Sequence, residues 1–320
     1  MRTRDVIATI KDAATSFSDH KATRLAASLA FYTMLSLAPL LVIVIAVASL
    51  VFGQQAAQGE VVAQIEHTVG RQGAEAIQAM LAASRDRLSG VVAMIIGAVV
   101  FVVGASGVFA ELQDSLNTVW GVMPKPGRGI VGVVRARFLS FAMVLGLGGI
   151  LLVLLVVSAG LSVVDRYLDR SSPFVAIGAH VGHELVSFGV VTIAAAMIFK
   201  VLPDAKIDWR DVWLGSAATA LLFTLGKLAI GFYLGRSSVS STYGAAGSFV
   251  VLLLWTYYSA QILFFGAEIT RVVAKRNGAA IRPGDDAMAM TCEDDVKQGI
   301  ARSDQLAHGI RAHVRKPLEG

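Results

Sequence analysis

Four ionisable side chains lie inside apolar stretches of this sequence, where burying a charge is costly. Lys227 stands in the run LLFTLGKLAIGFYLG, and His180, His183 and Glu184 stand in the apolar run from about 175 to 200. The last three are spaced i, i+3 and i+4, which places them on one face of a helix. A cation beside a carboxylate at such depth either binds a substrate or fixes two helices in register.

We predict that Lys227 pairs with Glu184, with His183 or His180 alongside, as a substrate-binding site or a structural ion pair. Two other interpretations stay open. The Lys227 amine can extend along its helix to the outer interface, and the His180, His183 and Glu184 spacing is acceptable to a metal ion. Three ligands from one helix seldom complete a metal site, so the sequence predicts no metal and no cofactor.

The composition predicts the medium in which these residues lie. Hydrophobic residues make up 55% of the 320 and charged residues only 16%, whereas soluble domains carry about 25% charged residues. The mean hydropathy is +0.65. The single cysteine, Cys292, excludes an internal disulfide. The solvent of this chain is therefore predicted to be a lipid bilayer.

Apolar runs long enough to cross a membrane as helices occur six times, since about 20 residues span the hydrocarbon layer. They are roughly 29–53, 91–110, 138–164, 175–200, 212–234 and 247–272. A cleaved signal peptide is the alternative for the first run, but its hydrophilic lead and its apolar stretch are both too long. The predicted fold class is all-α: a polytopic membrane protein with six transmembrane helices in one domain, 29–272.

The distribution of Lys and Arg among the loops predicts the orientation. Cytoplasmic segments carry an excess of these residues. The N-terminal segment, the second and fourth loops and the C-terminal segment hold 21 of them, against 6 in the other three loops. Both termini are therefore predicted to be cytoplasmic.

Amphipathic helices are predicted outside the bilayer. The N-terminal segment, 1–28, has apolar residues at helical spacing: Val6, Ile10, Ala14 and Phe17. This helix either lies on the inner leaflet or packs on the protein, and the pattern fits both equally. The outer loop, 54–90, carries two more apolar stripes, and the tail, 273–320, is polar and is predicted to be flexible.

Two further features are candidates for function. Pro39 removes a backbone hydrogen bond in the middle of the first run, so it either improves packing or acts as a hinge. Four residues form a group at the predicted cytoplasmic ends of the helices: Glu111, Asp114, Trp120 and Glu268. Glu268 lies about one turn inside its run, and we expect a cationic partner such as Arg24.

Four segments carry a family resemblance. They are AASLAFYTMLSLAPLL (26–41), LQDSLNTVWG (112–121), LPDAKIDWRDVWLGS (202–216) and YGAAGSFVVLLLWTYYSAQILFFGAEITRV (243–272). They resemble the hallmark segments of the YihY/BrkB family of bacterial inner-membrane proteins, over about 15–276. The resemblance implies a multi-pass protein of the bacterial inner (plasma) membrane with six spans. It supplies no agreed catalytic residues.

The same family has carried the labels virulence factor and ribonuclease BN. A hydrolytic nuclease needs metal ligands or an acid–base pair placed over a phosphodiester. This sequence has no H-x-H-x-D-H cluster, and its cytoplasmic segments are too short for a nuclease domain. We therefore expect neither a nuclease nor a nucleic-acid partner. An intramembrane hydrolase or lipid transferase stays open, but no nucleophile–base pair stands out, so we expect no enzyme.

Two functional hypotheses follow. The first is a transporter or flippase for a lipid-like or anionic amphiphilic substrate, with Lys227 attracting negative charge and Pro39 opening the first helix. The second is a non-transporting scaffold for envelope assembly, whose loops bind partners. Membrane lipids are the expected partners in both cases, and the sequence does not define an oligomeric state.

The predicted orientation can be tested with reporter fusions. Green fluorescent protein fused after Gly320 is expected to fluoresce, because it folds on the cytoplasmic side. Alkaline phosphatase fused after Arg170, in the third loop, is expected to be active, because it matures only outside the cytoplasm. Exchanging the two reporters should silence both, and the opposite pattern at either site would contradict the six-span orientation.

Overall fold

The structure, a computed structural model, describes residues 3–52, 107–126, 173–236, 247–279 and 281–291, with isolated positions elsewhere. Only the backbone is described at 3–4, 38–52, 173–181, 183, 230–236 and 247–248. The helices are α1 (Thr3–Asp19), α2 (Ala22–Phe52), α3 (107–120), α4 (Pro173–Val201), α5 (Trp209–Arg236) and α6 (Gly247–Arg276). The strands are β1 (Val122–Pro124), β2 (Ala205–Lys206), β3 (Arg282–Pro283) and β4 (Ala287–Ala289).

The long apolar helices agree with four of the predicted runs. α2, α4, α5 and α6 cover the runs predicted at 29–53, 175–200, 212–234 and 247–272. Within the described residues, three windows have the length and composition to cross a membrane: Glu184–Val201, Trp209–Ala229 and Phe249–Arg276. The predicted spans 91–110 and 138–164, and most of the outer loop 54–90, lie outside the described residues.

The hydrophobic core lies at one end of the helix bundle. It joins the first turns of α2 and α5 to the last turns of α3 and α4 and to the C-terminal half of α6. Its largest fully buried side chains include Leu116, Phe199 and Phe264. Away from the core, the helices also expose apolar side chains. Leu221, Leu225 and Leu228 of α5 are each more than half exposed. A helix that is apolar on its outer face is typical of one that contacts lipid.

α5 and α6 are antiparallel and pack closely through two reciprocal glycine–threonine contacts. A Cβ on Gly215 would overlap Thr270 Oγ1 and lie 2.7 Å from the Gly266 carbonyl oxygen, and a Cβ on Gly266 would overlap Thr219 Oγ1. Each threonine hydroxyl donates to a glycine carbonyl of its own helix, Thr219 to Gly215 at 2.8 Å and Thr270 to Gly266 at 2.9 Å. Small residues let the two backbones approach, and the hydroxyls are satisfied without water.

The first part of the predicted flexible tail is folded instead. α6 ends at Arg276. Gly278 follows with a left-handed φ of 73°, which lets the Ala279 N–H donate to the Ala274 carbonyl at 3.0 Å. β3 then pairs antiparallel with β2, and β4 pairs antiparallel with β1. The all-α prediction therefore lacked two small sheets. Runs of two or three residues leave no detectable period-2 pattern, which is why the sequence did not show them.

α1 packs on the protein, the second interpretation of the N-terminal helix, and its position on the inner leaflet stays a prediction. One face packs on α6, where Ala13 is fully buried and the Phe17 and Phe265 rings meet edge to face at 5.8 Å. Ile7 and Ile10, beside this face, are 67% and 50% exposed. α1 is thus a helix of the protein that still presents apolar side chains outward.

Replacing glycine by alanine is expected to have opposite effects on stability at two helical positions, one inside the close α5–α6 contact and one outside it. Gly215→Ala is expected to lower the free energy of unfolding by about 1–3 kcal/mol, because the new methyl meets backbone that cannot move aside. Gly189→Ala in α4, where nothing lies within 4 Å of the position that the new methyl would take, is expected to be neutral or to stabilise by up to about 1 kcal/mol. Thermal unfolding in detergent measures both.

A second pair of variants separates side-chain overlap from backbone overlap. Gly266→Ala is expected to be partly rescued by Thr219→Ala, because the nearest backbone oxygen, that of Gly215, is 3.3 Å away. Gly215→Ala should not be rescued by Thr270→Ala. Equal rescue at both positions would contradict this packing.

Candidate functional site

A buried ionic cluster joins the corner between α1 and α2 to the inner part of α6. His20 occupies the two-residue turn after α1, where its N–H bonds the Ser16 carbonyl at 2.9 Å and Lys21 takes a left-handed φ of 51°. This turn places the imidazole beside Glu268 and Arg271 of α6. Glu268 is 0%, His20 2% and Arg271 6% exposed, so all three are removed from solvent.

The contacts within the cluster define the tautomer of His20. Arg271 Nη1 lies 3.1 Å from His20 Nε2, and a guanidinium can only donate, so Nε2 must accept. The ring proton then resides on Nδ1, which lies 2.5 Å from Glu268 Oε1 and donates to it. Arg271 Nη1 is also 3.7 Å from Glu268 Oε2. The imidazole thus bridges the Arg271 guanidinium and the Glu268 carboxylate through its two ring nitrogens.

The residue found in contact with Glu268 is His20, and the expected Glu268–Arg24 pair stays a prediction. Arg24 lies one turn into α2 and its side chain is exposed, whereas the turn before α2 carries His20 directly against α6. His20 was missed because an isolated histidine in a polar segment carries no periodic signal. The only clue was a carboxylate placed inside an apolar run, which must find a partner.

Lys227 and Glu184 lie at similar heights along α5 and α4. Glu184 is 17 residues before the end of α4 and Lys227 is 18 residues after the start of α5, so each is about 26 Å from that end of the bundle. Both side chains are half-buried, but no ion pair joins them in the described part of the chain. Equal height does not fix rotation about the helix axis. The His180 and His183 side chains lie outside the described residues, and the role of the four residues stays a prediction.

Lys227 lies at the border between the packed and the outward faces of α5. The preceding residue, Gly226, packs so closely on the Tyr258 ring of α6 that a Cβ there would overlap it. The following residue, Leu228, is 66% exposed. The ammonium group is therefore carried at the edge of the α5–α6 seam, beside an apolar outer surface.

The residues predicted at the cytoplasmic end separate into different environments. Trp120 is 3% exposed in the core, and its indole N–H has no hydrogen-bond partner among the described residues. Glu111 is half-buried and Asp114 is exposed. Partial desolvation nevertheless raises the pKa of the Asp114 carboxyl above its ordinary value of 3.8. These residues do not meet in one site with Glu268.

A polar contact that the sequence did not predict fixes the loop between α4 and α5. Asn117 of α3 accepts a hydrogen bond from the Asp204 N–H at 2.8 Å and donates to the Asp204 carboxylate at 3.2 Å. Gly284, beside β3, donates its N–H to the Asp204 carbonyl at 2.7 Å. Asp204 thus holds α3 and the segment after α6 together.

Pro39 does not interrupt α2, which is helical from Ala22 to Phe52. A proline at this position frees the carbonyl of Leu35. The nearby Thr33 and Ser36 hydroxyls donate instead to the carbonyls of Leu29 and Thr33, at 2.7 and 3.1 Å. A hinge role for Pro39 stays a prediction.

Removal of either end of the His20–Glu268 contact is expected to destabilise the protein strongly. His20→Ala leaves a buried carboxylate without its closest partner, and the loss is expected to be about 3–5 kcal/mol. Combining it with Glu268→Ala should cost less than the sum of the two, with a coupling of at least about 1 kcal/mol by thermal unfolding in detergent.

Arg24→Ala provides the matched control for this cycle. Its coupling to Glu268→Ala is expected to be smaller than that of His20→Ala, because His20 makes the closest contact with the Glu268 carboxylate, at 2.5 Å. Stronger coupling to Arg24 than to His20 would restore the partner expected from the sequence.

Comparison with known proteins places the chain in a family. It is 28% identical to a UPF0761 membrane protein of Verminephrobacter eiseniae over 81% of this chain and 60% of that protein. It is 26% identical to UPF0761 membrane protein RC1_0578 of Rhodospirillum centenum, over 97% and 68%. It is 30% identical to a UPF0761 membrane protein of Alcanivorax borkumensis, over 56% and 40%. No solved structure matches.

The chain therefore spans about 60% of the length of the Verminephrobacter relative. The profile of the family Virulence factor BrkB matches residues 13–291. The matched range includes His20 near its start and β4 near its end. It therefore extends past residue 276, where the resemblance was expected to end. The long apolar helices, the relatives and this match together show that the chain is a membrane protein belonging to the Virulence factor BrkB family, also known as YihY/BrkB.

Proposed function

We propose that this chain moves a lipid-like or anionic amphiphilic substrate across the bacterial inner membrane, as a non-enzymatic transporter or flippase. Membrane lipids are its partners in this proposal, and nucleic acid is not. The observation that carries the proposal is the position of Lys227, a half-buried cation about 26 Å along α5 with an exposed apolar residue beside it. Burying an ammonium group at membrane depth is costly, and such a residue by default marks a substrate path.

The site of Lys227 fits an amphiphile better than a small soluble ion. An amphiphile has an anionic group for the ammonium and chains for the apolar surface. Leu221, Leu225 and Leu228 of the same helix expose an apolar surface at about the level of Lys227. Tyr258 of α6 closes the other side through its contact with Gly226. A groove open to lipid would let the headgroup follow the α5–α6 seam while the chains remain in the bilayer.

The described helix ends support the proposed threading with both termini cytoplasmic. α2 and α5 begin, and α3, α4 and α6 end, at the end of the bundle that holds the core. The six-span arrangement requires these same five ends on one side. The exposed cations on that side, such as Lys11, Lys206 and Arg282, fit the cytoplasmic surface.

A scaffold is the second candidate, and α1 is the feature that favours it. α1 exposes Val6, Ile7 and Ile10 along one edge while Arg276 holds the helix to α6 through Asp12 at 2.6 Å. A firmly held helix with an apolar edge is a surface on which a partner helix can pack. This candidate predicts defects that map to α1 rather than to Lys227.

The test uses the purified chain in liposomes that contain a fluorescent phosphatidylglycerol. Transbilayer movement is measured by quenching of the outer leaflet. Wild type is expected to exceed empty vesicles, and Lys227→Ala is expected to lose about tenfold or more of that rate, since a lost contact of about 1.4 kcal/mol corresponds to tenfold. Lys227→Arg should retain most of it.

Lys11→Ala is the matched control, because it removes an exposed lysine of α1. Its rate should equal that of wild type. Wild-type vesicles no faster than empty ones, with the protein folded and inserted, would contradict lipid transport and favour the scaffold. Movement that ignores Lys227→Ala would retain transport and reject this residue as its site.

A further inference from the structure

A cavity of about 600 Å³ lies where α4 ends, α5 begins and α6 gives way to β3. Five charged residues line it: Lys200, Lys206, Asp208, Asp211 and Arg282. The rest of its wall is small or apolar. The cavity is separate from Lys227, which lies about 26 Å along α5, and from the His20 cluster.

Of the two aspartates that line the cavity, Asp211 is bound through its carboxylate and Asp208 through its backbone carbonyl. Asp211 Oδ1 accepts a hydrogen bond from Asn277 at 2.7 Å. Asp208 supplies the carbonyl that accepts from Asp211 and Val212 at the start of α5. Counting three cations against two carboxylates, the lining carries a net charge of +1.

The cations differ in how freely they can bind. Lys200 is fixed, since it donates to the Ile207 carbonyl and lies 5.9 Å from the centre of the Trp209 ring. Lys206 pairs with Asp285 at 2.5 Å, but the two side chains are 59% and 87% exposed. Such an exposed pair contributes little and exchanges readily for another anion. Arg282, in β3, is exposed and brings a planar fork of donors suited to phosphate.

The level of the cavity relative to a bilayer is marked by two tryptophans. Trp209 and Trp213, on adjacent turns of α5, are each 47% exposed and their rings lie 6.3 Å apart. Exposed tryptophans of membrane helices prefer the headgroup region. The Lys200–Trp209 contact places the cavity at this same level.

From these observations we propose that the cavity binds the phosphodiester headgroup of an anionic glycerophospholipid. Arg282, and Lys206 once it exchanges Asp285 for another anion, supply donors for the single negative charge of a phosphodiester. Basic pockets between helices on the cytoplasmic side are suited to lipid headgroups. The acyl chains would leave past Trp209 and Trp213 into the bilayer. The role of the cavity as the place where a substrate is loaded for transport rests on the proposed function. The binding of a headgroup there does not.

Native mass spectrometry of the full chain in uncharged detergent tests the binding. Phosphatidylglycerol is expected to bind more tightly than phosphatidylcholine of the same chain length. Arg282→Gln and Lys206→Gln should each weaken phosphatidylglycerol about fivefold, the effect of one cation near an anionic lipid. Lys11→Gln, the same change of charge on exposed α1, should leave it unaltered, and thermal unfolding confirms that each variant is folded.

Glycerol 1-phosphate distinguishes a lipid from a soluble phosphate ester. It is expected to compete only at concentrations far above those of the lipid, because it lacks the acyl chains. Competition at equal concentration would overturn a lipid ligand, and equal binding by the cavity variants and Lys11→Gln would overturn the site.

Lys227→Ala separates this proposal from transport. The fivefold weakening by Arg282→Gln is expected to be the same in a Lys227→Ala background, because the cavity and Lys227 are separate sites. Binding without any transbilayer movement would reject the transporter and keep the headgroup site. Transbilayer movement, together with cavity variants that bind phosphatidylglycerol as wild type does, would reject the headgroup site and keep the transporter.

Discussion

Glu268 imposes the strongest physical constraint on this fold. A carboxylate with no exposure to solvent must receive hydrogen bonds and positive charge from the protein, or it could not remain ionised. His20 and Arg271 supply both. To bring His20 into contact, the chain must reverse within two residues after α1, with Lys21 in the left-handed region. The N-terminal helix is thereby held along α6, where Ala13 and Phe17 complete the contact.

Each of the four segments that carry the family resemblance contributes residues to the same packed end of the helix bundle. The segment 26–41 provides the first buried turns of α2, and 112–121 provides the end of α3 with Asn117. The segment 202–216 provides Asp204 and Gly215, and 243–272 provides Gly266, Glu268 and Arg271. The residues that carry the family resemblance therefore form one packed layer rather than scattered spans.

This layer is closely packed, and the parts of the helices that extend beyond it have apolar outer faces. The close α5–α6 contact at Gly215 and Gly266 continues along the seam to Gly226 and Tyr258, next to Lys227. The headgroup-level cavity and Lys227 lie at two levels of the same helix, α5. A substrate with an anionic head could thus be recognised at the surface and again at depth without leaving the neighbourhood of α5.

The sequence by itself determined the membrane class, the family and the bounds of four long helices, because apolar runs near 20 residues depend only on the thickness of a bilayer. It also placed Glu184 and Lys227 at equal heights, since height follows from residue count. It could not determine rotation about the helix axes, so the pair was expected and is not formed in the described residues. The His20–Glu268 contact, the Asn117–Asp204 contact and the β2–β3 and β1–β4 pairs all join residues that are far apart along the chain. Only tertiary structure decides such contacts, because no local pattern records which distant side chain satisfies a buried charge.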